Sequence, residues 1–446
     1  MIDDIITYDK TLFVYLNNLG SHEFDFIWII LSNKLWAYDL GPFSLKGFAL
    51  VQLNWGINQC VDCQRYPEEN RQRLWADEII AGKEYKPGSS VFSLFQPYFE
   101  LRPIYLGKGF KISALISQRW RDLKVDIPGV MYEQNIRLEQ EYYGSIQLGA
   151  FPTRGWGVAD YPYGSSVGLS DPWGASGSGY GLLSNAIRYT GPLIYFLGGD
   201  LILEITFDKG DNRFKTQSSF TELYGKYVGD QLFFDFIYQK AINGVPTSWT
   251  HSPFLGIVDD PKYDNGDLPG NLQTMLLIMG KVSTDYKVDI LGGMRRNYWS
   301  GADAVTVGVN EEGQYLWNNM FNVHWNGTLN GVQNPGYPAI SYDYMLGAVY
   351  NYSTDLVFSS GMIYLGETDT ENPLERGQSN SLLMNSFGAG YKGISEDVTV
   401  SLGINVVNFK DKGLAPLSMP SHAYSGIDSR IVKSGFSSGL EVIYQF

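Results

Sequence analysis

Five arginines stand at spacings that put them on one face of successive extended segments: Arg102, Arg119, Arg121, Arg137 and Arg188. Strand side chains switch faces at every residue, so Arg119 and Arg121, separated by Trp120, point the same way, and Glu133 and Glu139 share the face of Arg137. Such a wall orders polar solutes and biases the choice of ions if it meets water. It also fills itself if the arginines pair with Glu100, Glu133 and Glu139; the two readings are compatible. Covalent chemistry is poorly supplied. A hydrolase needs a nucleophile or water activated by a histidine. His22, His251, His324 and His422 fall in expected loops or in the leading segment, with no Ser and acid at a motif spacing, so an enzyme is not expected. Asp259-Asp260 and Asp264-Asn265-Gly266-Asp267 miss the alternating ligands and terminal Glu of an EF-hand. With Pro67-Glu68-Glu69 they read as solvated acidic loops, and neither a metal nor a cofactor is expected. Cys60 and Cys63 sit in Cys-Val-Asp-Cys, which an oxidising compartment favours as a small disulfide; a free pair or a redox motif are the alternatives.

The elements that must position these residues are strands. Segments of period-two alternation are expected at 43–55, 90–102, 109–121, 132–140, 143–151, 184–191, 198–207, 218–227, 231–241, 271–281, 285–297, 343–352, 355–366, 383–392, 396–407 and 435–446. In 198–207, Leu201, Leu203, Ile205 and Phe207 take one face and Glu204 and Thr206 the other. In 396–407, Val398, Val400, Leu402, Ile404 and Val406 oppose Thr399, Ser401, Gly403 and Asn405. Short connections carry Ser and Asp, which tighten turns through side-chain to backbone bonds. They are Val282-Ser283-Thr284-Asp285-Tyr286, Tyr352-Ser353-Thr354-Asp355-Leu356 and Ile394-Ser395-Glu396-Asp397-Val398, joined by Gly107-Lys108-Gly109, Tyr142-Tyr143-Gly144 and Gly229-Asp230. Long connections, 56–89, 122–131, 152–183, 208–217, 242–270, 298–342, 367–382 and 408–434, alternate with them. An even strand count with turns at one end and loops at the other is the layout of a transmembrane antiparallel β-barrel.

The last residues, Leu440-Glu441-Val442-Ile443-Tyr444-Gln445-Phe446, fit that layout. Leu440, Val442, Tyr444 and Phe446 share one face, Glu441 and Gln445 the other, and Ile443 is the apolar exception; a soluble amphipathic edge strand reads the same way. The ending resembles the terminal signal read by the outer-membrane assembly machinery of Gram-negative bacteria. The chain has 446 residues, with 50 Gly, 31 Tyr, 11 Trp and 18% charged residues. No apolar run approaches the 20 or so residues of a spanning helix, which leaves strands as the means of crossing a bilayer. The abundant Tyr and Trp suit aromatic girdles, although a soluble β-sandwich also carries them. A net charge of -14 argues against nucleic acid.

The order and lengths of the segments resemble the Gram-negative general porins over residues 38–446. What the resemblance implies is an all-β barrel of about sixteen strands in the bacterial outer membrane. Its third external loop, 152–183, folds inward and narrows a pore for passive diffusion of small hydrophilic solutes, and a homotrimer is implied as well. The loop runs from Phe151-Pro152-Thr153-Arg154-Gly155-Trp156 through Asp160-Tyr161-Pro162-Tyr163-Gly164 and Asp171-Pro172-Trp173-Gly174. Asn185-Ala186-Ile187-Arg188-Tyr189-Thr190 resembles the porin strand that receives it. On this reading Arg119, Arg121, Arg137, Arg154 and Arg188 line the pore opposite Asp160 and Asp171. Trp156, Tyr161, Tyr163 and Trp173 either stack against solutes or pack the loop. Two other outcomes stay open, a substrate-specific channel for sugars or aromatic acids and a closed structural or adhesive barrel.

Residues 1–37 read as a non-barrel leader, a fusion or a misassembly. They lack the basic n-region and small-residue cleavage site of a signal peptide. Residues 1–36 resemble the start of type-2 phosphatidic-acid phosphatases in Tyr8-Asp9-Lys10-Thr11-Leu12-Phe13 and Ser32-Asn33-Lys34-Leu35-Trp36. The catalytic motifs are missing, Pro420-Ser421-His422 lacking the expected Gly, so no phosphatase residue is carried over. A short amphipathic helix against the barrel is the alternative.

Overall fold

The structure is a computed structural model that describes residues 38–60, 88–125, 131–155, 182–209, 219–242, 272–299, 308–309, 315–316, 338–370, 381–410 and 432–446. Sixteen long antiparallel strands form one closed sheet. In chain order they are β1 (Phe43–Cys60), β2 (Gly88–Gly107), β3 (Phe110–Ser117), β4 (Glu133–Gln140), β5 (Gly144–Pro152), β6 (Leu182–Thr190), β7 (Gly199–Asp208) and β8 (Ser219–Val228). The second half comprises β9 (Leu232–Ile242), β10 (Leu272–Ser283), β11 (Val288–Trp299), β12 (Ala339–Asn351), β13 (Leu356–Leu365), β14 (Leu382–Ser395), β15 (Val398–Phe409) and β16 (Val432–Gln445). Each pairs with the next, and β16 pairs with β1 from Phe48↔Gln445 to Cys60↔Val432, which abolishes the sheet edge. Phe446 completes the seam through paired backbone bonds with Gly47, 2.8 and 3.0 Å.

Alternation explains which face turns outward. On β7, Leu203, Ile205 and Phe207 are exposed while Glu204, Thr206 and Asp208 are buried. On β15, Leu402 is exposed and its neighbour Ser401 buried. The same phase around the ring gives an outer face of Leu, Ile, Val, Phe and Tyr and an inner face that holds nearly all the charge. A continuous apolar exterior on a closed barrel is the arrangement that lipid permits for strands. Among the described residues no helix is long and apolar enough to cross a membrane.

The short turns are built by their own side chains. Ser353 Oγ accepts the amides of Asp355 and Leu356 at 3.2 and 3.0 Å, and Thr284 Oγ1 donates to the Val288 carbonyl at 2.8 Å. Gly107, Lys108 and Gly109 all have positive φ, at 90°, 49° and 77°, a conformation that two glycines make inexpensive.

One expected strand is divided. Rather than running through 109–121, β3 stops at Ser117, and Trp120–Arg121 and Lys124–Val125 make a separate small hairpin against β2. The cause is Asp122: its carboxylate accepts the Ser93 amide at 2.8 Å and the Ser93 hydroxyl at 3.2 Å. Asp122 and Leu123 turn through positive φ.

Candidate functional site

Inside the barrel the end of β5 does not continue upward with its neighbours. After Pro152 the chain turns into the lumen, where side chains of three successive strands reach it: Arg188 of β6 bonds the Pro152 carbonyl, Glu204 of β7 holds the Arg154 guanidinium, and Glu222 of β8 takes the Arg154 and Gly155 amides. Glu222 on β8 holds it there. That fully buried carboxylate accepts the Arg154 amide at 2.9 and 3.1 Å, the Gly155 amide at 3.2 Å and Gln239 Nε2 of β9 at 2.7 Å. Arg154 forks onto Glu204 of β7, with Nη2 to Oε1 at 2.7 Å, and its guanidinium lies 5.5 Å from the Tyr224 ring. Thr190 Oγ1 donates to the same Glu204 oxygen at 2.8 Å. A Cβ at position 155 would stand 2.7 Å from Gln239 Nε2 and 3.2 Å from Met275 Cε, so a larger residue there requires the ends of those two side chains to move.

Arg188 is the cation beneath this crossing. Its Nε donates to Thr206 Oγ1 at 2.9 Å and its Nη2 to the Pro152 carbonyl at 3.0 Å. The guanidinium covers the Phe151 ring at 4.5 Å and comes within 3.5 Å of Glu222. Desolvated charges of this kind persist when paired and fully hydrogen-bonded.

The other wall arginines stand apart from this cluster. Arg119 is buried, donates to Tyr132 Oη at 2.9 Å and lies over that ring. Arg121 is opposite Leu94 on the inner face, in the small hairpin. Arg137 lies 3.5 Å from Glu139. Arg102 is exposed and its amide bonds the Pro42 carbonyl near the short-turn end. Asp160, Asp171, Trp156, Tyr161, Tyr163 and Trp173 lie outside the described residues, as do Cys63, the four histidines, residues 1–37 and the Asp259–Asp267 cluster. Cys60 closes β1. Among the described residues no group of three or more His, Cys, Asp or Glu side chains is placed to hold a metal ion.

Two features escape a reading that treats the interior as uniformly watery. The luminal charges include a wet group and a dry group, with Lys281 and Asp289 between them at 13% and 19% exposed. Lys46, Glu100, Lys111, Arg137 and Glu139, on β1 to β4, are 33–56% exposed. Arg188, Glu204, Glu222, Arg295 and Asp343, on β6 to β12, are at most 4% exposed. From β9 to β14 the inner face is largely apolar. Ile237, Leu277, Leu365 and Leu382 share one row around the wall with the Arg295–Asp343 ion pair at 2.9 Å, and Met279, Met345, Ile363 and Met384 form the row below. All eight apolar side chains are buried.

No protein-family model matches the chain, and no curated protein matches it. Solved structures do. The anion-selective porin from Comamonas acidovorans aligns with a TM-score of 0.56 at 11% identity, over 91% of this chain and 99% of that one. OmpT, an outer membrane protein of Vibrio cholerae, aligns at 0.54 and 8%, over 92% and 99%. The outer membrane channel DcaP of Acinetobacter baumannii aligns at 0.51 and 11%, over 91% and 97%. At such identities the likeness is one of fold: the chain shares the sixteen-stranded barrel of outer-membrane porins and channels.

Proposed function

We propose that the chain is a passive diffusion channel of the bacterial outer membrane, admitting small hydrophilic solutes through a lumen narrowed by the segment 152–183. The observation that carries this reading is the bonding of the Arg154 and Gly155 amides to Glu222. A loop that rose outward from β5 would not approach β8 from within. The bonds of these first residues after β5 to an inner-face side chain support an inward course for the connection between β5 and β6.

The wet charges of β1 to β4 then border the aqueous path, and they carry its selectivity. Lys46, Lys111 and Arg137 outnumber Glu100 and Glu139, which favours anions locally although the chain as a whole is acidic. Lys46 lies 3.0 Å from Glu100 and Lys111 3.7 Å from Glu139. Arg119 and Arg188, buried against their partners, act on the wall more than on the solute.

Planar-bilayer recording tests both levels. Stable ohmic steps are expected from the unmodified protein. A charge about 4 Å from a passing ion in water is worth about 1 kcal/mol before screening. Replacing Lys111→Gln and Arg137→Gln together should therefore shift the reversal potential in a salt gradient toward cations, a several-fold drop in the anion-to-cation permeability ratio. An unmoved reversal potential removes these residues from the path. Absence of any conductance refutes the channel and returns the closed adhesive barrel.

A further inference from the structure

Along the regularly paired parts of the sixteen strands, the outward positions hold apolar, aromatic or uncharged polar side chains with two exceptions. These are Lys240 on β9 and Arg296 on β11. Their outward phase is fixed by their neighbours, because Gln239 and Ala241, Arg295 and Asn297 are all buried on the inner face. The two belong to one patch. Lys240 pairs with Thr274, which pairs with Tyr298; one row lower, Tyr238 pairs with Leu276, Leu276 with Arg296, and Arg296 with Tyr342. Thr221 flanks Lys240 on the other side. Two strand spacings, about 10 Å, separate the cations laterally, a span that two long flexible side chains close.

A lipid-facing Lys or Arg costs about 2–4 kcal/mol at the bilayer midplane and about 0–1 kcal/mol near the interface. Both residues stand within the last few positions before the long-loop ends of their strands. The next outward row down, Phe236, Ile278, Met294 and Tyr344, is uncharged. The pair is thus at the rim of the apolar belt on the loop side, where headgroups begin. Neither cation makes an ion pair with a described residue, and the Arg296 guanidinium lies over the Tyr298 ring at 5.8 Å. The outward carboxylate Asp369 pairs with Ile340, beyond Tyr298 in the upper row.

We infer that Lys240 and Arg296, with Thr221 and Thr274 beside them, form a binding site for the phosphorylated headgroup of an outer-leaflet amphiphile. The chemistry is charge-assisted: the guanidinium offers a planar fork to phosphate oxygens, the ammonium a point charge, and the threonine hydroxyls further donors. Tyr298 and Tyr342 border the headgroup at the depth where amphipathic rings settle. The inference rests on the outer-membrane placement proposed above and is independent of the pore.

The probe is bisphosphorylated lipid A added to the detergent-purified full chain, with retained lipid counted by native mass spectrometry. Retention by the unmodified protein is expected to fall about tenfold for each cation removed in Lys240→Gln and Arg296→Gln, and further in the double variant. Dephosphorylated lipid A should be retained no better by the unmodified protein than by the double variant. Inorganic phosphate alone should not bind. Equal retention by the double variant, equal retention of the dephosphorylated lipid, or binding of inorganic phosphate at the same concentration each overturns the site. Single-channel conductance of the same preparations separates the two readings: a protein that retains lipid A and does not conduct refutes the channel and leaves the headgroup site standing.

Discussion

Replacing Glu222 with alanine should release the base of the inward segment. The substitution strips one carboxylate from the Arg154 and Gly155 amides and from Gln239, and takes a counter-charge from Arg188. Removing one member of a buried charge network costs about 3–5 kcal/mol. At about 1.4 kcal/mol per factor of ten, the population with the segment detached should rise by about two to three and a half orders of magnitude. In single-channel traces this appears as larger and noisier conductance, with excursions toward an unobstructed barrel. Glu222→Gln keeps the shape and an acceptor oxygen while losing the charge, and should fall between the two. Unaltered steps in Glu222→Ala would show that Arg154 and Glu204 suffice to hold the crossing, and the role of Glu222 would be lost.

A comparable loss of stability, without a change of conductance state, is expected from Asp343→Ala. Asp343 is fully buried and accepts Arg295 Nε at 2.9 Å, Asn297 Nδ2 at 2.7 Å and the Gly366 amide at 3.0 Å. Taking that carboxylate from Arg295 within a row of Leu277, Leu365 and Leu382 costs about 3–5 kcal/mol. The double replacement Arg295→Met with Asp343→Leu continues the surrounding apolar row, and such exchanges are neutral or stabilising by about 1–4 kcal/mol. The temperature at which the barrel loses its compact migration in detergent electrophoresis reads both. A single variant as resistant as the unmodified protein would mean that the pair contributes little.

Much of this fold was legible in the chain because strand parity is a local property. Leu203, Glu204 and Ile205 disclose their faces without any knowledge of what they pair with, and turns such as Ser353-Thr354-Asp355 disclose theirs through bonds spanning two or three residues. What needed the structure was non-local. The crossing of Arg154 to Glu222 links positions far apart in sequence, and nothing in the pattern of β8 distinguishes Glu222 from any other inward acid. The alternation of Arg119 and Arg121 predicts one continuous strand, and that continuity is broken by the bonds of Asp122 to Ser93. The dry arc was hidden for a different reason. In Leu272–Ser283 the inner face carries Met275, Leu277 and Met279 and the outer face Leu272, Leu276 and Ile278, so alternation of hydrophobicity, the signal that marks an interior, is weak there. Glu100, Glu133 and Glu139 are visible as wall acids; that Glu133 is buried while Glu100 and Glu139 share water with Lys46 and Lys111 is not, because exposure depends on what packs across the lumen.

The methionines of the dry arc also bear on the chemistry of damage. Met275, Met279, Met345 and Met384 are all nearly inaccessible, so their thioethers are shielded from dissolved oxidants while the interior stays packed. Conversion of one to its sulfoxide would place a polar, chiral group among Leu and Ile, and the packing that protected it would be what the lesion destroys. Sulfoxide at these four positions, as distinct from the exposed Met362, would therefore be a cumulative record of how often this arc is wetted.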